Sequence, residues 1–302
     1  ISVFFFSFIP DYLFRGLEKM STITYRTLGA RTIYLVLVFA FIHTEEQFIL
    51  VPVFNAASNL FIVLWSWWYV IRKFHLPYRF QSFKNTWDTL KRSSIFFLSR
   101  IASTLYGASN VFLMTLLGFP AGLLGQYGAA DSLIQNARKM LSPLSASLYP
   151  YMVKNKNFKL LKRLLLVFMP IIIAGCIFLF AFADLFIRIL CGNGYEEAIP
   201  IFRGYLPMLA LTLPIYLLGF PTLSPMNMDK EANLTTIYAS VFHFIGLTIL
   251  VLTGKISVAA IVILTTCSEF IVLVSRIIYV VIGSRRMKTK KNNHSPDKEV
   301  HI

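Results

Sequence analysis

A stripe of polar side chains runs along residues 125–152 at the spacing of an α-helix. Successive polar positions are separated by 4, 4, 3, 4, 3 and 4 residues, which places them on one helix face. They are Tyr127, Asp131, Gln135, Arg138, Ser142, Ser145 and Tyr149. Such a face can bind a polar or charged ligand. The segment is either an amphipathic helix at a membrane surface or a spanning helix whose stripe faces a water-filled interior, and we favour the second. Pro143 and Pro150 are expected to bend or end it.

Arg100 is a single cation inside an apolar run. It lies about six residues, or about 9 Å, into a predicted helix that begins near Ser94. An arginine at the centre of a membrane helix costs about 2.5–3.5 kcal/mol on insertion scales, so such residues usually face a cavity. The alternative is that the side chain extends back to the lipid headgroups. We expect Arg100 to face a cavity.

Three more polar residues interrupt later apolar runs. Glu269 and Arg276 are seven positions apart, so they share a helix face two turns apart and cannot form a simple ion pair with each other. Each needs another partner or water, and an interhelical pair and a transport role remain equal alternatives. His243 is a single histidine in its run, and we expect it to make a hydrogen bond between helices.

The sequence contains no pattern typical of an enzyme or a metal site. The five histidines are dispersed, and Cys176, Cys191 and Cys267 lack the spacing of metal ligands or of a disulfide framework. No nucleophile elbow, paired histidines or phosphate-binding loop is found. We therefore expect neither catalysis nor a bound metal, and the polar residues fit a binding path better than bond chemistry.

The composition indicates a membrane protein. Of the 302 residues, 56% are hydrophobic and only 14% are charged, with a mean hydropathy of +0.65, whereas soluble domains carry about 25% charged residues. The net charge of +15 does not indicate nucleic-acid binding, because the cations lie in short blocks between apolar runs. We expect a polytopic, all-α membrane helix bundle in contact with membrane lipids.

Eight stretches are long and apolar enough to cross a bilayer as helices. They are residues 24–42, 48–71, 94–118, 121–150, 164–183, 199–221, 233–253 and 256–282. Residues 1–9 resemble the end of one more helix. Their length favours helices over the strands of a β-barrel, which are about ten residues long.

The distribution of lysine and arginine predicts the orientation. Residues 72–92 carry six such cations and residues 154–163 carry five, whereas 43–47 and 118–122 carry none. Because cytoplasmic loops are enriched in Lys and Arg, the basic loops and the C-terminus are predicted to be cytoplasmic. A crossing is then needed between residues 118 and 154. Arg26 and Arg31 are interpreted as anchors at the cytoplasmic end of their helix.

Several short motifs resemble the polysaccharide-specific flippases of the multidrug/oligosaccharidyl-lipid/polysaccharide exporter superfamily. The opening stretch matches a family loop at Pro10, Phe14, Gly16, Glu18, Lys19 and Met20. A second pattern matches at Gly125, Tyr127, Ala130, Pro143, Leu144, Tyr149 and Pro150. Later loops are similar at Gly194, Tyr195, Ala198, Asn227, Asp229 and Lys230. The similarity extends over about residues 1–284.

The resemblance implies a two-lobe, MATE-like architecture of twelve helices in which the first lobe is incomplete. Residues 1–71 would be the remnant of the N-terminal lobe, residues 72–93 a basic cytoplasmic loop between lobes, and residues 94–284 a complete six-helix C-terminal lobe. Residues 285–302 are expected to form a disordered basic tail. We therefore expect an N-terminally truncated chain with about eight full transmembrane helices and a partial one.

The resemblance also implies a function. Such proteins move oligosaccharide repeat units linked to undecaprenyl pyrophosphate across the bacterial cytoplasmic membrane for O-antigen, capsule or exopolysaccharide synthesis. The implied partners are this lipid-linked oligosaccharide, membrane lipids, and the polysaccharide polymerase and chain-length machinery. No cofactor is expected, and H⁺ or Na⁺ coupling stays open. Two other classes stay open: a MATE-like drug/cation antiporter, and a membrane glycan polymerase or acyltransferase.

The residues expected to act in this function fall into two groups. The expected cavity residues are Arg100, Tyr127, Asp131, Gln135, Arg138, Glu269 and Arg276. The expected cytoplasmic entrance residues are Arg15, Lys19 and Arg31.

Overall fold

The computed structural model describes residues 2–17, 19–44, 47, 49–74 and 82–293, and this part of the chain is helical without strands. The helices are α1 (Ser2–Ser7), α2 (Asp11–Gly16), α3 (Met20–Phe41), α4 (Leu50–Phe74), α5 (Phe83–Leu116), α6 (Ala121–Asn155), α7 (Phe158–Ala181), α8 (Ala183–Cys191), α9 (Ala198–Leu218), α10 (Phe220–Leu223), α11 (Asp229–Leu252) and α12 (Val258–Asn293). A 3₁₀ turn, Ser224–Met226, joins α10 to α11.

Each of the eight predicted spans overlaps one long helix. Within the described part of the chain, five helical segments are long and apolar enough to cross a membrane. They are Leu50–Lys73, Phe158–Ala181, Ala198–Met226, Asp229–Leu252 and Val258–Met287. The other three predicted spans coincide with α3, α5 and α6, which contain more polar residues. The prediction of an all-α, multi-pass membrane bundle is confirmed.

Two predicted boundaries differ from the structure. Helix α5 begins at Phe83, so residues 83–93 of the predicted loop 72–93 are helical, and residues 75–81 lie outside the described residues. Helix α12 continues to Asn293, so the first part of the predicted disordered tail 285–302 is also helical, and the remainder is not described. The physical reason is the same at both ends. Residues that are too polar for the bilayer core, such as Lys and Arg, still favour a helix, and no Gly or Pro interrupts either segment.

Helix α6 is also longer than expected from its prolines. It continues through Pro143 and Pro150 and ends at Asn155. Lys156 then closes the helix in a left-handed conformation with φ 49°.

The chain divides into two compact units, Ile1–Phe83 and Lys84–Ile302. In the first unit, α3 packs on α4, with α1 against α4 and α2 against α3. Arg26 of α3 is buried, whereas the sequence predicted a side chain that anchors the helix at the lipid headgroups. Its Nη2 lies 2.5 Å from Asp11 Oδ1, its Nη1 donates to Ser66 Oγ at 2.7 Å, and the Phe14 ring lies beneath the guanidinium. A guanidinium with these partners can remain inside the bundle.

Helix α9 is the centre of the second unit. It packs against α6, α7 and α12, and its apolar residues are buried on most sides. The contact with α12 is close, because a Cβ on Gly204 would lie 2.8 Å from Val262 Cγ1. Gly246 allows a similar approach of α11 to Leu264 of α12. Small residues at helix crossings are typical of membrane bundles.

Candidate functional site

A band of polar side chains crosses the interior of the second unit, and we call it the polar seam. It consists of Tyr106 and Asn110 on α5, Tyr127 and Arg138 on α6, Tyr205 on α9, His243 on α11, and Thr265, Ser268, Glu269 and Arg276 on α12. The four members on α12 lie on one face of that helix, because their spacing along the sequence matches the repeat of an α-helix. Intramembrane polar groups of this kind face the bundle interior and find partners there.

Arg138 and Glu269 form the charged centre of the polar seam. Nη2 of Arg138 lies 2.9 Å from Oε1 of Glu269, and the two side chains are 11% and 8% exposed. Nη1 of Arg138 also contacts the sulfur of Met208 on α9 at 3.7 Å. The ion pair therefore joins α6 to α12 beside the central helix, and neither charge is left unpaired in the interior.

Arg276 stabilises the end of α9. Its Nη1 donates to the carbonyl of Ile215, and its Nε donates to Thr235 Oγ1 on α11 at 3.2 Å. Ile215 lies in the last turn of α9, where carbonyls have no partner within the helix and a cation is favourable. Gly219 makes room for the guanidinium, because a Cβ there would lie 2.7 Å from Nη1. This geometry holds three helices together.

His243 connects α11 to two other helices, which is the role the sequence predicted for it. Its Nε2 donates to Asn110 Oδ1 on α5 at 2.9 Å, and its Nδ1 lies 3.1 Å from Ser268 Oγ on α12. Asn110 in turn donates to Thr265 Oγ1 at 3.0 Å. Tyr106 packs edge-on against the imidazole, with ring centroids 4.5 Å apart, and donates to the Thr265 carbonyl at 3.1 Å.

The polar stripe of α6 turns inward in its first half. The Tyr127 hydroxyl lies 2.5 Å from the Tyr205 hydroxyl, and both residues are buried. Two turns after Tyr127, the half-buried Gln135 donates to Asp131 Oδ1 at 3.2 Å. Beyond Arg138, the second half of the stripe is more open: Ser145 bonds the Tyr216 carbonyl, whereas Ser142 and Tyr149 are exposed.

Arg100 lies apart from the polar seam. The inward face of α5 is formed by Ser99, Asn110 and Met114, and Arg100 projects beside it and is exposed. In the described part of the chain, no ion pair or side-chain hydrogen bond engages the Arg100 guanidinium. Its carbonyl accepts bonds from Ser103 and Thr104. Arg100 is therefore an exposed cation without an ion-pair partner among the described residues.

The three predicted entrance residues belong to the first unit. Arg15 is in α2, and Lys19 immediately precedes α3. Arg31 is exposed on α3 and donates to Asn55 Oδ1 of α4 at 3.3 Å. The structure thus brings Arg138, Glu269 and Arg276 into one interior with Tyr127, and the entrance residues lie in a separate unit.

Sequence reasoning missed several members of the polar seam. Tyr106, Asn110, Tyr205, Thr265 and Ser268 were not predicted. A signal existed for Asn110, which is an amide within an apolar run and lies one turn from Tyr106. Residues as common in membrane helices as Thr and Ser give no such signal. Across the described ranges, no group of three or more His, Cys, Asp or Glu could hold a metal ion.

Comparison with known proteins assigns the chain to a family. Residues 2–156, about half of the chain, match the family described as polysaccharide biosynthesis protein. A candidate O-antigen transporter of Escherichia coli (strain K12) is 24% identical over 242 residues, covering 78% of this chain and 58% of that protein. A candidate O-antigen transporter of Shigella dysenteriae is 29% identical over 178 residues, covering 56% of this chain and 44% of that protein.

The chain spans about half the length of these curated relatives. No solved structure matches it. The chain belongs to the polysaccharide biosynthesis protein family.

Proposed function

We propose that the protein is a flippase for lipid-linked oligosaccharides in the bacterial cytoplasmic membrane. Its substrate would be a repeat unit on undecaprenyl pyrophosphate, delivered to the outer leaflet for surface polysaccharide synthesis. The names of the two relatives, which describe O-antigen transporters, support this class of cargo. The polysaccharide polymerase and the chain-length machinery would act on the delivered product.

One observation carries the proposal: Arg100 is an arginine within a helix of the bundle whose guanidinium has no partner among the described residues. The other arginines of the expected cavity are engaged, Arg138 by Glu269 and Arg276 by Ile215 and Thr235. A pyrophosphate group needs a cation that is not already neutralised. At about 4 Å and an effective dielectric constant of about 20, one such contact contributes about 4 kcal/mol.

The contacts of the acidic residues support a drug or cation antiporter less well than a flippase. A drug or cation antiporter would need carboxylates that are free to bind a cation. Glu269 is paired with Arg138, and Asp131 accepts a hydrogen bond from Gln135. The polymerase and acyltransferase alternatives are disfavoured by the relatives, which are named as transporters.

The proposed mechanism is alternating access between two lobes, with residues 94–284 as the second lobe and the basic loops and C-terminus in the cytoplasm. Arg100 would hold the pyrophosphate. Tyr127, Asp131, Gln135 and Arg138 would line the sugar path when the helices around the polar seam move apart. Arg15, Lys19 and Arg31 would attract the anionic substrate at the cytoplasmic entrance.

The test replaces Arg100 at the chromosomal locus and measures surface polysaccharide. Arg100→Ala is expected to reduce surface glycan at least tenfold at unchanged protein abundance. Arg100→Lys should retain part of the activity, because the charge remains and the bidentate fork is lost. Arg188→Ala is the matched control, because among the described residues this arginine forms an exposed ion pair with Asp184, at 3.4 Å, and no other. Normal surface glycan in Arg100→Ala would exclude the proposed role.

A further inference from the structure

A groove separates the first half of α5 from the start of α11, and it is distinct from the polar seam. Its volume is about 740 Å³, and it is lined by Lys91, Arg92, Ser94, Ile95, Phe96, Phe97 and Leu98 of α5 and by Asp229 and Lys230 of α11. All of these residues belong to the second unit. None of them takes part in the interior contacts of the polar seam.

The groove carries a net charge of two positive units, from three cations and one carboxylate. Lys91, Arg92 and Lys230 are exposed, and none of them forms an ion pair with any residue the structure describes. The carboxylate of Asp229 is occupied, because it accepts a hydrogen bond from Ser224 Oγ. The cations are therefore available to an external anion.

The same groove has an apolar wall. Phe96, Phe97 and Leu98 are 44%, 68% and 52% exposed. Phe96 is fixed in place by stacking on Phe220 of α10, with ring centroids 6.1 Å apart. From Lys91 to Phe97 the helix rises about 9 Å at about 1.5 Å per residue. A ligand that contacts both the cations and the apolar wall needs an anionic head and an apolar body about 9 Å apart.

The position of the groove along α5 indicates how deep in the membrane it lies. The helix has 34 residues, a length of about 51 Å, which exceeds the hydrocarbon thickness of about 30 Å. Its first eleven residues, FKNTWDTLKRS, are mostly polar, and the apolar sequence begins at Ile95. The change from polar to apolar occurs inside the groove, which places the cations at headgroup level and the aromatic rings at the level of the acyl chains.

We propose that this groove binds an anionic phospholipid of the cytoplasmic leaflet, with the phosphate on Lys91, Arg92 and Lys230 and an acyl chain along Phe96 and Phe97. Basic pockets between transmembrane helices on the cytoplasmic side select anionic lipids. The choice of leaflet rests on the orientation given under the proposed function. The binding itself rests only on the groove, so it can be tested without a transport assay.

The experiment places a fluorescent reporter on the apolar wall. Trp65, Trp67, Trp68 and Trp87 are changed to Phe, and Phe97→Trp then provides the single tryptophan. The full chain is placed in phosphatidylcholine nanodiscs with increasing amounts of phosphatidylglycerol brominated on its acyl chains. Brominated phosphatidylcholine is used in a parallel series. Preferential binding predicts half-maximal quenching at a mole fraction of phosphatidylglycerol at least fivefold lower than that of phosphatidylcholine.

Two matched triple variants assign this preference to the groove. Lys91→Gln, Arg92→Gln and Lys230→Gln together should abolish it, with helical content and melting temperature unchanged. Lys156→Gln, Lys159→Gln and Lys162→Gln remove the same charge from the end of α6 and the start of α7, and they should leave the preference intact. Equal quenching by the two brominated lipids in the parent, or equal loss of preference in both triple variants, would overturn the proposal. Relief of quenching by stoichiometric undecaprenyl pyrophosphate would also overturn it, because the groove would then belong to the transported lipid.

Discussion

Arg138 of α6 and Glu269 of α12 form a nearly enclosed ion pair, with Nη2 and Oε1 2.9 Å apart. The pair lies beside Met208 of the central helix α9. Two charges in an apolar bundle are tolerable only as a pair, since each alone would carry the full cost of desolvation. The contact therefore constrains how α6 and α12 can move.

Breaking this pair should destabilise the protein strongly. Glu269→Gln and Arg138→Met are each expected to cost about 3–5 kcal/mol, because the remaining charge is buried without a partner. The combination of Arg138→Met with Glu269→Leu should recover most of the loss. Thermal unfolding of the purified protein in detergent measures both effects. The exposed pair Arg188–Asp184 is the control, and its removal should cost no more than about 1 kcal/mol. Equal losses at both pairs would contradict a buried ion pair.

Gly219 should not tolerate a side chain. A Cβ at this position would lie 2.7 Å from Arg276 Nη1 and 3.3 Å from the Ile215 carbonyl oxygen. Gly219→Ala is therefore expected to displace the guanidinium and to cost about 1–3 kcal/mol. Gly175→Ala on α7 is the control, because a Cβ there would meet no other atom within 4 Å. The measurement is the melting temperature of each variant. A Gly219→Ala protein with the same melting temperature as Gly175→Ala would contradict the proposal that Arg276 stabilises the end of α9.

The contact between His243 and Asn110 should hold α5 on the bundle. His243→Ala and Asn110→Ala are each expected to increase hydrogen exchange in the middle of α5. Because the two residues contact each other directly at 2.9 Å, a double-mutant cycle should give a coupling energy of about 0.5–3 kcal/mol. Thr115→Ala on the exposed side of α5 is the control. Additive effects of the two alanine variants would exclude a direct coupling.

The orientation predicted from the basic loops can be tested by labelling. In a background with Cys176, Cys191 and Cys267 changed to Ser, Lys156→Cys should react with a membrane-impermeant thiol reagent only after the cells are opened. His43→Cys, in a segment without Lys or Arg, should react in intact cells. The reverse pattern would invert the topology.

The sequence predicted the long helices, apart from the first part of α5 and the last part of α12, but not which helices are central. Helices α7 and α9 are both largely apolar, yet most of the apolar stretch of α9 is buried and that of α7 is not. Lipid is as apolar as the protein interior, so a lipid-facing helix shows no polar face that would distinguish it. Hydropathy alone therefore cannot order the helices in the bundle.

Polar residues predicted which positions lie in the interior better than hydropathy did. Arg138 was recognised from the polar stripe along residues 125–152, and Glu269, Arg276 and His243 from their positions inside apolar runs. All four are buried. Their partners could not be predicted, because the Arg138–Glu269 and His243–Asn110 contacts join distant helices. The burial of Arg26 could not be predicted for the same reason, because only tertiary packing brings Asp11 within 2.5 Å of its guanidinium.

The most direct test of the proposed transport follows the lipid-linked oligosaccharide itself. The chromosomal gene is placed under a repressible promoter, and the protein is depleted. Right-side-out membrane vesicles are then treated with membrane-impermeant periodate, which oxidises only sugars on the outer face. If the protein is a flippase, lipid-linked oligosaccharide accumulates and is protected from periodate until the vesicles are permeabilised. Accumulated lipid-linked oligosaccharide that is oxidised equally in intact and permeabilised vesicles would contradict the proposed transport.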